Sequence, residues 1–172
     1  DATNELGIDK ATLRPVVSAE VGNIFKFGTE KSEKMNFTYT DKDGIKKPLY
    51  LASYGIGITR VMGVIAEMMS DSKGLVWHSN IAPYHVYLAS IGDVSGVAED
   101  LCKQLETAGV SVTYDDRDVR PGEKFADAEL MGIPYRLVVS ERNLESNSVE
   151  LTNREDGNTE MIPTDRIVNI LV

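Results

Sequence analysis

One stretch decides how the first half of the chain folds, and it reads Leu49-Tyr50-Leu51-Ala52-Ser53-Tyr54-Gly55-Ile56-Gly57-Ile58-Thr59-Arg60. The aromatic and aliphatic residues up to Tyr54 favour a β-strand. After the two glycines the spacing becomes that of an amphipathic helix, with apolar residues at Ile58, Val61, Met62, Ile65 and Met69. The stretch therefore predicts a strand that passes into a helix, with Arg60 in the first turn of that helix.

This predicted turn has the chemistry that a nucleotide needs. Gly55 and Gly57 would let the backbone approach a flat base or ribose without a clash from a Cβ atom. The N-terminus of a helix is partly positive, and Arg60 offers a fork of donors to phosphate oxygens. A Gly-x-Gly pair before a helix is more often only a turn, so on these residues alone both interpretations stay open.

The stretch lies at the end of a segment, residues 16–54, that we expect to be rich in strands. Residues 37–40 and 49–54 have strand composition and flank Asp41-Lys42-Asp43-Gly44. An Asp-Gly pair between two such segments is a strong hairpin signal. We therefore predict that residues 37–40 pair with residues 49–54 as antiparallel strands.

The second half alternates between strand and helix patterns. We predict strands at 84–90, 110–115, 134–140, 147–152 and 159–162, and helices at 94–108, at 122–131 and from Pro163 onward. Strands separated by helices imply parallel crossovers, and the turn at 154–158 implies an antiparallel pair. The fold class is therefore α/β (α+β overall), with a mixed sheet of about five strands and about three helices. Turn-rich residues between 70 and 82 divide the chain into domains at 1–75 and 76–172.

Composition excludes several classes of protein. No apolar run approaches the roughly 20 residues that cross a bilayer, and residues 1–9 lack the layout of a secretion signal, so we expect a cytoplasmic protein without a membrane partner. The single cysteine, Cys102, is expected in the core, and His78 and His85 lack metal-ligand spacing, so no metal site is expected. The net charge of −9 argues against nucleic-acid binding that depends mainly on phosphate neutralisation.

Residues 53–60, together with the strands before them, resemble the third signature motif of class II aminoacyl-tRNA synthetases. In bacterial-type prolyl-tRNA synthetases this motif commonly begins with Cys-Tyr, and here Ser53 stands in place of the cysteine. The resemblance implies that residues 1–75 are part of an antiparallel catalytic sheet with ATP and Mg²⁺ as cofactors. It also implies that Gly55, Gly57 and Arg60 bind ATP, with Arg60 as the catalytic residue.

A second segment, residues 20–32, resembles the prolyl-tRNA synthetase stretch Glu-Val-Gly-His-Ile-Phe-x-Leu-Gly-Thr-x-Tyr-Ser. By this resemblance the proline pocket is lined by Glu20, Gly22, Asn23, Phe25 and Ser53. Asn23 replaces the usual histidine, which keeps a hydrogen-bonding group but loses the imidazole. For Glu20, a solvated carboxylate on a strand is the alternative.

A third segment, residues 114–136, resembles the anticodon-binding domain shared by prolyl-, threonyl-, histidyl- and glycyl-tRNA synthetases. The resemblance implies that Arg117, Arg120 and Lys124 contact phosphates or stack on bases, and that Asp116 and Glu129 accept hydrogen bonds from guanine. Proline anticodons carry two guanines, whose N–H groups a carboxylate can accept. A solvated loop and a surface helix are the alternative.

The resemblance to prolyl-tRNA synthetases covers about residues 16–172. It implies an enzyme that activates proline with ATP and transfers it to tRNA(Pro), and that is a homodimer at full length. The family's other two signature motifs would lie before residue 1, so we expect a fragment that is inactive alone. A threonyl, glycyl or histidyl enzyme is the alternative, as is a non-enzymatic, synthetase-like RNA-binding module.

Overall fold

The computed structural model describes residues 5–172. The chain divides into two compact units, Asp1–Val64 and Ile65–Val172. Within the part of the chain that the structure describes, no helix has the length and apolar character needed to span a membrane.

The first unit contains two small antiparallel sheets. After a 3-10 turn at Lys10–Thr12, its elements are β1 (Gly22–Gly28), α1 (Glu30–Lys34), β2 (Thr38–Thr40), β3 (Lys46–Pro48), β4 (Leu51–Ile56) and the start of α2 (Ile58–Met68). Strand β4 passes into helix α2 through Gly57, as residues 49–60 predicted. Helix α1 was not predicted.

Strand pairing in the first unit differs from the prediction. Strand β2 pairs with β3 rather than with residues 51–56, and β4 pairs with β1. Of the predicted pairing only one hydrogen bond is present, from the Leu49 amide to the Phe37 carbonyl at 3.1 Å. The cause is the turn, in which the amides of Asp43 and Ile45 both donate to Asp41 Oδ1 at 2.9 Å. The chain has reversed direction by Ile45, so the residues that follow directly, β3, lie beside β2. Strand β4 comes later in the chain and pairs with β1.

The second unit is built on one mixed five-stranded sheet, which confirms the predicted α/β class. Its elements are β5 (Val86–Ile91), α3 (Ser95–Thr107), β6 (Val112–Asp115), α4 (Pro121–Met131), β7 (Tyr135–Ser140), α5 (Glu141–Leu144), β8 (Ser148–Asn153), β9 (Thr159–Pro163) and α6 (Ile167–Leu171). The strand order is β6-β5-β7-β8-β9, with β5 parallel to β6 and β7 and with antiparallel pairs at β7–β8 and β8–β9.

Two helix assignments in this unit differ from the prediction. The one-turn helix α5 was not predicted; Ser140 caps it by accepting a hydrogen bond from the amide of Asn143 at 3.3 Å. The last helix begins at Ile167 rather than at Pro163, because Pro163 still belongs to β9 and pairs with Ser148.

One face of the sheet carries the main core. Helices α3 and α6 cover it with fully or nearly fully buried residues such as Leu101, Leu105 and Ile167, which pack on strand residues that include Leu88 and Leu137. Burying one such side chain stabilises the fold by about 1.5–3 kcal/mol. Cys102 packs against this core and is half-buried, and burial raises the pKa of its thiol.

The opposite face of the sheet is only partly covered. Helix α4 packs Ala128 on it, next to Tyr87 and Ala89 of β5. Because side chains alternate along a strand and the odd-numbered Val149 and Leu151 face the main core, Glu150 and Thr152 face the other way. Their neighbour Met161 on β9 is 50% exposed. This leaves a solvent-accessible half of the sheet beside α4.

Candidate nucleic-acid interface

In the first unit, the strand-to-helix turn brings Arg60 to the start of β1. The Gly57 amide donates to the carbonyl of Val21 at 2.8 Å, and Arg60 Nη1 donates to the carbonyl of Glu20 at 2.5 Å. The Arg60 side chain is exposed. One of its five donors is therefore used inside the protein, which leaves the others for a ligand.

The residues predicted for the proline pocket lie on β1 and β4, which pair with Phe25 opposite Ser53 and Asn23 opposite Gly55. A wide, open cavity of about 590 Å³ is lined by Gly22, Asn23, Ile24, Tyr54, Gly55 and Ile56. The structure thus brings Gly22, Asn23 and Gly55 together. Glu20, Phe25, Ser53, Gly57 and Arg60 do not line this cavity.

In the second unit, the loop after β6 is organised around the buried carboxylate of Asp115. This carboxylate accepts from Arg117 Nε at 2.9 Å, from Arg117 Nη2 at 2.8 Å and from the hydroxyl of Tyr87. These hydrogen bonds, those of Arg117 above all, hold the pKa of Asp115 well below its usual range. Arg117 Nη2 also donates to Asp127 on α4 at 2.6 Å, so the guanidinium bridges the strand end and the helix.

The structure turns Lys124 inward. Lys124 is only 2% exposed, and its Nζ donates to the carbonyls of Ser90 at 2.8 Å and Asp115 at 2.9 Å. The ammonium thus joins the carboxyl ends of β5 and β6. Asp116 and Arg120, by contrast, are exposed on the loop.

Glu129 lies in a separate place, at the other end of α4. It lines a cleft of about 220 Å³, and its Oε1 is 2.9 Å from Lys73 Nζ and 4.0 Å from Arg136 Nη1. The cleft continues onto the open half of the sheet through Thr152 and Asn153. The residues predicted to bind the anticodon therefore form two groups. Four lie at the loop after β6 and the start of α4, and Glu129 lies in this cleft.

Arg136 is a candidate that the sequence interpretation missed. Its guanidinium lies over the Phe125 ring, 4.3 Å from the ring centre, and its Nη2 donates to Thr152 Oγ1 at 3.2 Å. Its Nε is buried and has no hydrogen-bond partner among the described residues. A charged residue inside a strand of otherwise buried side chains was the signal that could have found it.

Comparison with known proteins identifies the family of the second unit and relatives of almost the whole chain. A family described as "Anticodon binding domain" matches residues 85–172. The chain is 42% identical to the proline--tRNA ligase of Persephonella marina over 166 residues, which are 94% of this chain and 29% of that protein. It is 40% identical to the proline--tRNA ligases of Paracoccus denitrificans and Zymomonas mobilis, over 95% and 92% of this chain. The chain spans 37% of the length of each of these two relatives.

Proposed function

This chain belongs to the anticodon binding domain family through residues 85–172, and from that membership we propose that it is part of a proline--tRNA ligase whose second unit recognises the anticodon of tRNA(Pro). We assign residues 76–172 to the anticodon-binding domain and residues 1–75 to the end of a class II catalytic domain. The similarity to proline--tRNA ligases over 94% of the chain supports both assignments.

The observation that carries the anticodon proposal is the cleft beside α4. It combines a carboxylate acceptor at Glu129 and a guanidinium donor at Arg136, next to an open half of the sheet. The Arg136 guanidinium lies over the ring of Phe125, which holds its plane in place. Unstacked RNA bases are recognised by such a combination, through hydrogen bonds to their edges and stacking on aromatic or guanidinium planes. A guanine fits Glu129, because its Watson–Crick edge presents N–H donors to an acceptor-only carboxylate.

The loop after β6 adds exposed groups to the proposed interface. Asp116 and Arg120 are free to meet RNA from the loop, and the 47% exposed side chain of Arg117 presents one edge to solvent. A direct contact from Lys124 is the part of this proposal that the geometry supports least, because its ammonium would have to leave two carbonyl acceptors.

For the first unit we propose a role in binding ATP and proline in the complete enzyme. A Cβ atom added at Gly55 would meet nothing within 4 Å, and the Arg60 guanidinium is exposed, so both fit a nucleotide that approaches the turn. We propose that Arg60 holds phosphate oxygens and stabilises the charge on the leaving phosphates. Glu20, Gly22, Asn23, Phe25 and Ser53 would line the proline side of the site.

Further proposals concern the complete enzyme. Mg²⁺ would accompany the ATP phosphates; among residues 5–172 no group of three or more His, Cys, Asp or Glu side chains forms a metal site. ATP would supply the phosphoanhydride bond whose cleavage activates the proline carboxylate. We also propose that the enzyme is a homodimer in the cytoplasm.

Binding to tRNA transcripts tests the anticodon proposal. We expect the 172-residue chain to bind a proline tRNA transcript at least about tenfold more tightly than transcripts in which either anticodon guanine is replaced by adenine, because one charge-assisted hydrogen bond is worth about 1.5–3 kcal/mol. Fluorescence anisotropy at fixed salt measures the affinities. Equal affinity for all transcripts would remove the proposed function.

A matched pair of variants locates the recognition. Glu129→Gln should bind the guanine transcript more weakly and reduce the preference for it, because an amide presents both a donor and an acceptor. Glu106→Gln, on the exposed side of α3, should change neither quantity.

A further inference from the structure

Tyr87 has a buried hydroxyl that the proposed interface does not use. The residue lies in β5, is 2% exposed, and donates its hydroxyl hydrogen bond to Asp115 Oδ2 at the end of the neighbouring strand. Burial, and then the charge of Asp115, raise the pKa of Tyr87, so the hydroxyl stays protonated and remains a donor. Burying a phenol and a carboxylate is costly unless both are hydrogen-bonded, and here they bond to each other and the carboxylate also accepts from Arg117.

The group that this pair organises is Arg117. One oxygen of Asp115 accepts from the Arg117 amide at 3.2 Å and from Arg117 Nε at 2.9 Å, and the other accepts from Arg117 Nη2 at 2.8 Å. The Asp115 side chain is 4% exposed. The carboxylate therefore meets the guanidinium fork in a two-pronged geometry, and Tyr87 restrains the orientation of the carboxylate through a further hydrogen bond to Oδ2.

The backbone around Asp115 is held as well. Lys124 Nζ donates to the Asp115 carbonyl at 2.9 Å and to the Ser90 carbonyl at 2.8 Å, which ties the ends of β5 and β6 to α4. Asp127 on the same helix accepts from Arg117 at 2.6 Å. The side chain and the backbone of Asp115, the residue directly before the loop, are thus both anchored.

We propose that Tyr87 is a positioning residue for RNA binding: through Asp115 it holds Arg117, and with it the loop at residues 116–120, in the orientation that meets the anticodon arm. The inference rests on the proposed function. It assigns Arg117 a role that differs from a phosphate contact, because the carboxylates of Asp115 and Asp127 already accept from its Nε and Nη2 donors. Arg120 and Asp116 then meet the RNA from a loop that Arg117 braces.

The test uses the 172-residue chain and a proline tRNA transcript, with affinity measured over a series of salt concentrations. We expect Tyr87→Phe to bind about 5- to 20-fold more weakly than wild type with an unchanged slope of log affinity against log salt. Arg117→Gln should weaken binding with the same unchanged slope. The double variant should bind no more weakly than Arg117→Gln alone, because both changes disrupt one unit.

Tyr114→Phe is the matched control. Its hydroxyl donates to Ser90 Oγ at 3.2 Å rather than to Asp115, and its side chain packs against the main core. We expect the affinity of this variant to equal that of wild type. An equal loss in Tyr87→Phe and Tyr114→Phe would overturn the proposal, since it would indicate a general effect on the sheet.

Three further results would overturn the positioning role of Tyr87. If Arg117 contacts a phosphate directly, Arg117→Gln should reduce the salt slope by about 0.7–0.9, and the losses in the double variant should multiply. If Tyr87→Phe binds as tightly as wild type, the positioning role is absent while the proposed function stands. Failure of the wild-type chain to distinguish the transcripts would instead remove the proposed function and this inference with it.

Folding does not limit the test. Circular dichroism and thermal unfolding identify any variant that has lost the fold. If Tyr87→Phe does not fold, the test rests on Arg117→Gln and its slope of log affinity against log salt. This variant should fold, because the half-exposed Arg117 lies outside both core clusters.

Discussion

Arg154 and Asp71 form a two-pronged ion pair between the β8–β9 turn and the segment that precedes β5. Arg154 Nη1 and Nη2 donate to the two carboxylate oxygens at 2.8 and 2.7 Å. The hydrogen bonds from Arg154 lower the pKa of Asp71 from 3.8. Because the pKa in the folded state is the lower one, the stabilisation is fully present above about pH 4 and is lost as the pH falls through the folded-state pKa.

The variant Arg154→Met tests this pair. We expect its melting temperature to be lower than that of wild type at pH 7, and the difference to begin to shrink below about pH 4, where Asp71 takes up a proton in the unfolded wild-type chain but not yet in the folded one. Thermal unfolding followed by circular dichroism between pH 7 and pH 3 measures both. Lys103→Met is the control, since the Lys103–Asp100 pair is highly exposed and 3.9 Å apart. A difference that stays constant down to pH 3 would contradict the assignment.

At this scale the sequence predicted where charged residues cluster better than what they touch. Residues 115–129 do carry the loop and helix that organise the candidate interface. The inward position of Lys124 was not predictable, because its two acceptors belong to Ser90 and Asp115, on strands that only the fold brings together. The hydroxyl of Tyr87 is a similar case, since its partner is 28 positions away in the chain.

Helix α4 ends at Gly132, which is in close contact with the backbone of Leu75. Gly132 has a φ of 70°, the left-handed conformation that commonly ends a helix. Leu75 and Trp77 run alongside and donate their amide hydrogen bonds to the carbonyls of Leu130 at 3.2 Å and Gly132 at 3.1 Å. A Cβ atom at Gly132 would lie 2.2 Å from the Leu75 carbonyl oxygen.

We therefore expect Gly132→Ala to destabilise the second unit by at least about 2 kcal/mol, from about 1–2 kcal/mol for the left-handed backbone and a further cost for moving Leu75. Urea denaturation measures the change. Gly96→Ala is the control, because Gly96 lies in α3 without a positive φ and a Cβ atom there meets nothing within 4 Å. That control should be neutral or stabilising by up to about 1 kcal/mol. Equal effects of the two substitutions would refute the clash.

The elements of the second unit were predictable because each buried strand is a short apolar run between turn residues, so local composition and tertiary burial agree. The strand pairing in the first unit was not predictable in this way. Residues 46–48 and 49–54 both follow the same turn, and Lys46-Lys47-Pro48 has little strand character. The choice between them depends on where the Asp41 side chain closes the turn, which is a matter of hydrogen-bond geometry rather than composition.

For the whole molecule, the two units differ greatly in how much they bury. In the second unit a contiguous core runs through β5, β7 and β8. In the first unit the strands around the proposed ATP turn are almost wholly exposed, with Tyr54 at 86% and Ile56 at 72%. Water therefore reaches the strands beside the turn, and a site that activates a carboxylate needs water to be excluded.

We accordingly expect the 172-residue chain to give no proline-dependent exchange of pyrophosphate into ATP above background. Radiolabelled pyrophosphate exchange measures this, and a proline--tRNA ligase such as that of Zymomonas mobilis serves as the positive control. The anisotropy measurement with tRNA should succeed on the same preparation, which separates an inactive site from an unfolded sample. Exchange above background would contradict the expectation.

The shielded sulfur of Cys102 has a practical consequence for labelling chemistry. Maleimides react with the thiolate, and a raised pKa together with half-burial keeps this thiol slow at neutral pH. A cysteine introduced at the exposed Asp118 would react first, in a chain that otherwise contains one cysteine. A dye attached there would lie within the loop at residues 116–120 and would report RNA binding at that loop without prior removal of Cys102.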